Sequence, residues 1–136
     1  MNNNESDIPK KIKSLSQDLL WMSESDYPFD TFTWSNEEVK QVNEQNILQK
    51  THHSLDAPVK VIDMEKFFGR ATDEKDWYDS EERETAKKYQ ALVETLKQNL
   101  DNIQVYKIGD VEIDVYIVGQ LESGDWVGLS TKAVET

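Results

Sequence analysis

Val111-Glu112-Ile113-Asp114-Val115-Tyr116-Ile117 is the stretch that decides the fold. Its apolar residues Val111, Ile113, Val115 and Ile117 fall on one face of a strand and Glu112 and Asp114 on the other, because successive strand side chains point to opposite faces. This is the pattern of an antiparallel strand with one buried and one solvated side. Two further β-rich runs flank it, Ile103 to Ile108 and Trp126 to Val134. They are set off by Gly109-Asp110 on one side and Glu122-Ser123-Gly124-Asp125 on the other. Turn residues at those spacings predict a C-terminal antiparallel three-strand meander.

Upstream the period changes. Asp79 followed by Glu82 has the spacing of a capping box, and Tyr89, Leu92, Val93, Leu96 and Leu100 then form a helical stripe reaching toward Asn102. The approach to that helix, Asp73 to Glu84, carries seven acids against Lys75 and Arg83, which suits the positive end of a helix dipole. Val59 to Ile62 reads as a short strand, and Asp63 as a cap for a helical turn holding Met64, Phe67 and Phe68. Ile8, Ile12, Leu15, Leu19 and Met22 recur at helical spacing behind Ser6 and Asp7, predicting a first helix that ends near Met22. Ser23 to Pro28 reads as a loop, Phe29 to Trp34 as a strand, and Ser35 to Thr51 as a stretch with room for one short helix. The expected class is α+β, one domain spanning residues 1–136, with the Asn-rich residues 1–5 frayed.

Composition narrows the function. At 136 residues a domain buries about two-thirds of the surface its unfolded chain would expose, so a core forms without covalent staples. The absence of cysteine excludes disulfides, thiolate metal sites and cysteine nucleophiles, and is compatible with a reducing, cytoplasmic setting. The first residues lack the basic and apolar regions of a signal peptide, and no run approaches a membrane span, so a soluble, unprocessed protein is expected. Fifteen basic against 27 acidic side chains give a net charge of −12. That balance opposes adhesion to nucleic acid or anionic lipid and favours basic partners, although it also serves solubility alone.

Few residues invite chemistry. His52 and His53 are the only histidines, but adjacent side chains diverge, so a polar loop is favoured over a shared metal ion. Asp110, Glu112 and Asp114 are spaced to align on a strand; a solvated sheet face is favoured over a cation site. No nucleophile elbow, P-loop, zinc-protease or calcium-loop signature is present. Of the four tryptophans, Trp21, Trp34 and Trp126 accompany apolar runs and are expected to be buried. Trp77, between acids in Asp76-Trp77-Tyr78-Asp79, fits either a core anchor or an exposed contact.

Blocks across nearly the whole chain carry a family resemblance: Leu20-Trp21-Met22-Ser23-Glu24-Ser25-Asp26-Tyr27-Pro28-Phe29, Asp56-Ala57-Pro58 with Val59 to Phe68, Arg70-Ala71-Thr72 and Asp76-Trp77-Tyr78. Gln104-Val105-Tyr106, Val111 to Tyr116, Ser130-Thr131-Lys132 and Val134-Glu135-Thr136 continue it. The chain resembles the nuclease A inhibitor family, inhibitors of a sugar-non-specific DNA/RNA endonuclease. Ser35 to Asn46 and Gln120 to Val127 depart most from the family pattern. The resemblance implies a three-layer α/β/α sandwich related to pathogenesis-related-protein-like folds, no catalytic residues and no cofactor of its own. It implies a monomer that forms a 1:1 complex with the nuclease. Thr136 matches the terminal residue that reaches the nuclease's magnesium, Glu24 an acidic contact, and Trp77 and Thr131 further interface positions. An acidic interaction module that keeps this fold and binds a different basic protein is the alternative.

Overall fold

A computed structural model describes residues 7–135. The chain runs α1 (Asp7–Ser16), β1 (Leu20–Met22), β2 (Asp26–Pro28), β3 (Asp30–Trp34), α2 (Glu44–Lys50), β4 (Val59–Ile62), α3 (Met64–Thr72) and α4 (Ser80–Asn99). It closes with β5 (Asp101–Ile108), β6 (Glu112–Gln120) and β7 (Trp126–Val134). The predicted meander is the centre of an all-antiparallel five-stranded sheet of order β3-β7-β6-β5-β4, and β1 and β2 make a separate hairpin. The class is therefore mixed α+β. Ser6, residues 1–5 and Thr136 lie outside the described residues.

Capping chemistry sets two helices as expected. Asp79 accepts from the Glu82 N–H at 2.8 Å while Glu82 accepts from the Asp79 N–H at 3.1 Å. Asp63 caps α3 through the Glu65 N–H. A third box, between Asn43 and Asn46, starts α2.

Alternation along the central strands feeds two apolar clusters. Val105, Ile113, Val115, Ile117, Val127 and Leu129 join Ile12 of α1, Phe67 and Phe68 of α3, and Leu92 and Leu96 of α4. Tyr106, Ile108, Val118 and Trp126 join Val39 and the α2 residues Ile47 and Leu48. The polar side of β6 is thus less solvated than its alternation predicts. Segment 35–57 covers much of that face, and no residue of β6 advertises a cover that arrives from distant sequence.

The first helix is shorter than its periodicity predicts. It ends at Ser16, whose hydroxyl donates to the Lys13 carbonyl at 3.2 Å, and Leu19 N–H closes the turn on Ser16 at 3.0 Å. Leu20–Met22 then pairs with Asp26–Pro28, so a three-residue turn joins two strands where a loop was expected. Met22, placed by spacing on the helix's apolar stripe, is 66 % exposed. The period-two alternation around partly buried Trp21 prevails because its indole stacks on Phe67 at 4.2 Å with the rings 16° apart. A ring contact of that kind contributes about 0.5–1.5 kcal/mol beyond area burial. The last helix also stops early: α4 is capped at Leu100, and Asn102, at φ 55°, belongs to a bulged start of β5.

Candidate partner-binding site

The β1–β2 hairpin is anchored at its base and clamped at its tip. At the base, the Tyr89 hydroxyl donates to the Leu20 carbonyl at 2.6 Å, and Trp21 meets Phe29, Phe68 and Tyr89 edge-on. Burial pushes the Tyr89 phenol far above its ordinary pKa, because an anion there would lose its hydration. At the tip, Ser23 Oγ donates to the Ser25 carbonyl at 2.8 Å and accepts from the Val134 N–H at 3.0 Å. The Glu24 N–H donates to the Val134 carbonyl at 3.3 Å. Both polar groups of the Val134 backbone are therefore committed to the hairpin tip.

Thr131 strengthens the same docking. It is only 6 % exposed, and its hydroxyl donates to the Pro28 carbonyl at 2.9 Å. Its side chain holds β2 against β7 and offers little surface of its own. Beyond Val134, the Glu135 N–H donates to the Val111 carbonyl at 2.9 Å, and its carboxylate pairs with Lys107 at 2.8 Å. The chain is thus held to within one residue of Thr136.

Trp77 takes the exposed alternative. At 78 % exposure it is the most exposed large hydrophobic among the described residues. The Arg83 guanidinium presents it, donating through Nε to the Tyr78 carbonyl at 3.1 Å and through Nη2 to the Asp76 carbonyl at 3.0 Å. Two bonds from one planar group hold the peptide before Trp77 and the peptide after Tyr78, so the Trp77-Tyr78 turn is bracketed by Arg83 while the Trp77 ring stays exposed. Tyr78, its neighbour, lines a groove of about 640 Å³ that it shares with Leu20, Met22, Ser23, Phe67 and Glu135. The hairpin, the end of β7 and the loop before α4 therefore surround one concavity. Leu20 and Met22 lie along it, 48 % and 66 % exposed, an apolar strip in a groove that the acid Glu135 also lines. Exposed apolar residues within a polar rim are a common mark of a protein interface.

Sequence reasoning missed Ser23, Met22, Tyr78 and Glu135 as members of this site. Helical spacing places Met22 on a helix face, and nothing in Ser23 or Glu135 signals that the folded chain brings the hairpin tip to the end of β7, 111 residues apart at the Ser23–Val134 bond.

The histidines diverge as their adjacency requires. His52, at φ 62°, closes α2 with its N–H on the Gln49 carbonyl, while the His53 N–H reaches the Leu48 carbonyl, the paired bonds of a Schellman ending. His53 Nε2 then lies 2.7 Å from Asp114 Oδ2, and Nδ1 lies 2.7 Å from the Thr51 hydroxyl. Asp114 is thereby tied to the segment covering β6. Burial, and then the charge of Asp114, raise the pKa of Tyr116 beside this pair; a Thr51 hydrogen bond opposes the shift. Among the described residues, no three histidine or acidic side chains converge as a metal site would need. Nor is any helix among them long and apolar enough to cross a membrane.

A family model described as nuclease A inhibitor-like protein matches residues 6–136. The chain belongs to the nuclease A inhibitor-like family. No curated protein matches it. The family match spans both segments that depart from the expected pattern, Ser35 to Asn46 and Gln120 to Val127, and includes every residue of the hairpin, groove and chain end.

Proposed function

We propose that the protein inhibits a magnesium-dependent, sugar-non-specific nuclease by occupying its active site in a 1:1 complex. The observation that carries this reading is the clamp of Glu24 and Ser23 on Val134, which sets an exposed acidic turn beside the residues leading to Thr136. A pre-ordered acidic turn avoids the entropy of arranging flexible loops on binding. Magnesium prefers hard oxygen ligands, and the carboxylate and hydroxyl of Thr136 are of that kind. In this reading they approach the metal held by the nuclease, and Glu24 pairs with a cationic group that otherwise meets nucleic acid. Trp77 supplies an aromatic contact at the edge, and Thr131 holds the hairpin in place. The −12 charge speeds encounter with a basic cleft, an advantage that salt weakens.

Mixing the pure protein in excess with such a nuclease and magnesium is expected to stop cleavage of both DNA and RNA; complete digestion would refute the proposal. Deleting Thr136, or amidating its carboxylate, should weaken inhibition while leaving the thermal midpoint nearly unchanged. Glu24→Ala should cost about 2–5 kcal/mol of binding if its carboxylate enters a desolvated pair, with no loss of fold.

A further inference from the structure

The groove beside the hairpin has a charge pattern that net acidity does not describe. Its α3 side carries Lys66 and Arg70, its α4 side carries Asp79, Glu81 and Glu82, and Leu20, Trp21, Met22 and Phe67 supply its apolar surface. Lys66, Arg70, Glu81 and Glu82 are all exposed. Among the described residues, neither Lys66 nor Arg70 joins an ion pair; the basic groups that do are Lys50, His53, Lys75, Lys97, Lys107 and Lys132. The two signs are sorted onto two helices and do not close on each other. The positive end of the α4 dipole amounts to roughly half a charge, too little to offset three carboxylates in and before the first turn.

We propose that this groove receives a segment of the nuclease partner bearing one apolar side chain flanked by a carboxylate and a cation. The apolar group meets Leu20, Met22 and Phe67, the carboxylate faces Lys66 and Arg70, and the cation faces Glu81 and Glu82. The inference rests on the inhibitor reading and adds an orientation device to it. An acidic surface attracts a basic cleft in many poses, whereas two sorted charge walls favour one direction of the docked segment, the role complementary charges play in fixing register. Glu135 and Ser23 line the same groove, so a segment seated there lies against the residues that flank Glu24 and lead to Thr136.

Charge reversal separates this from simple attraction. If only net charge mattered, Lys66→Glu and Arg70→Glu would make the inhibitor more acidic and tighten its hold on a basic nuclease. A charge-sorted groove predicts the opposite: Lys66→Glu, Arg70→Glu and Glu81→Lys each weaken inhibition about tenfold, and the loss persists at 0.5 M salt, roughly, where the Debye length falls to a few ångströms and long-range steering is suppressed. Tighter or unchanged inhibition by the Lys66→Glu and Arg70→Glu variants would overturn the inference while leaving the inhibitor reading intact. If the wild-type protein inhibits no nuclease, that reading fails first, and methionine-methyl NMR tests the groove alone. Titration with an acetylated, amidated glutamyl-leucyl-arginine tripeptide should shift the Met22 methyl and leave that of Met64, 4 % exposed, in place. No shift of Met22 at millimolar peptide would count against the groove.

Discussion

Glu24 and Val134 are joined by a main-chain hydrogen bond of 3.3 Å, with the Ser23 hydroxyl returning the contact to the Val134 N–H at 3.0 Å. This pair makes the acidic turn and the last strand one rigid unit. Ser23→Ala removes the side-chain half of the clamp and leaves the backbone half. Inhibition should weaken about five- to tenfold, with a stability loss of about 1–3 kcal/mol, the net worth of the two hydrogen bonds its hydroxyl makes. Inhibition assays paired with urea unfolding measure both. Wild-type inhibition in this variant would show that the clamp does not set the geometry of the site.

Arg83 governs Trp77 without touching its ring. Its two bonds to the Tyr78 and Asp76 carbonyls are exposed, so Arg83→Ala should lower stability by less than about 1 kcal/mol. The loop before α4 should nevertheless gain motion, read as faster amide exchange over residues 76–78. Binding should weaken in parallel with Trp77→Ala, and the double variant should be less than additive because both act through one contact.

Tyr89 makes an alkaline limit for the fold. Its folded pKa is raised, so stability is fully present below the unfolded value of about 10 and falls as pH rises beyond it, since only the unfolded chain ionises readily. Burial raises Tyr106 and Tyr116 in the same direction. Urea midpoints should therefore be level across pH 8–9, roughly, and decline above about pH 10. Tyr89→Phe should decline less steeply there, while at neutral pH it loses about 1 kcal/mol with its bond to Leu20. An identical alkaline slope in the variant would assign the limit to other groups.

Gly128 lies where β7 passes between β3 and β6, paired with Phe32 on one side and Val118 on the other. A Cβ there would run into the Ile117 carbonyl oxygen and come within 2.7 Å of the Phe32 ring. Backbone cannot yield as a flexible side chain can, so Gly128→Ala should destabilise by about 3 kcal/mol, the upper end of the range of core overpacking. Thermal unfolding would show it. At Gly69, where an added Cβ meets nothing within 4 Å, alanine should be neutral or mildly stabilising because it sits within α3.

Local signals were sufficient wherever one element carries its own instructions. The capping box at Asp79 and Glu82, the cap at Asp63, the alternation of β6 and the turn residues around it all act within a few residues, and the structure follows them. Acidity and the lack of cysteine were equally plain. Sequence alone also limited Trp77 to two alternatives, and its surroundings decided for exposure.

Tertiary structure decided the rest, because the competing forces there are long-range. Leu19 to Met22 continues a helical spacing that is locally as good as a strand, and only Phe67, Phe68 and Tyr89, more than 40 residues away, make burial of Trp21 in a hairpin the better packing. The cover over the polar face of β6 arrives from segment 35–57, so Asp114 meets His53 across 61 residues, a partner that its spacing does not announce. The site itself is a meeting of three distant segments, with Ser23 and Glu24 on Val134, Glu135 on Val111, and Tyr78 across the groove. A sequence sets which backbone groups need partners. Only the folded chain determines which partners they find.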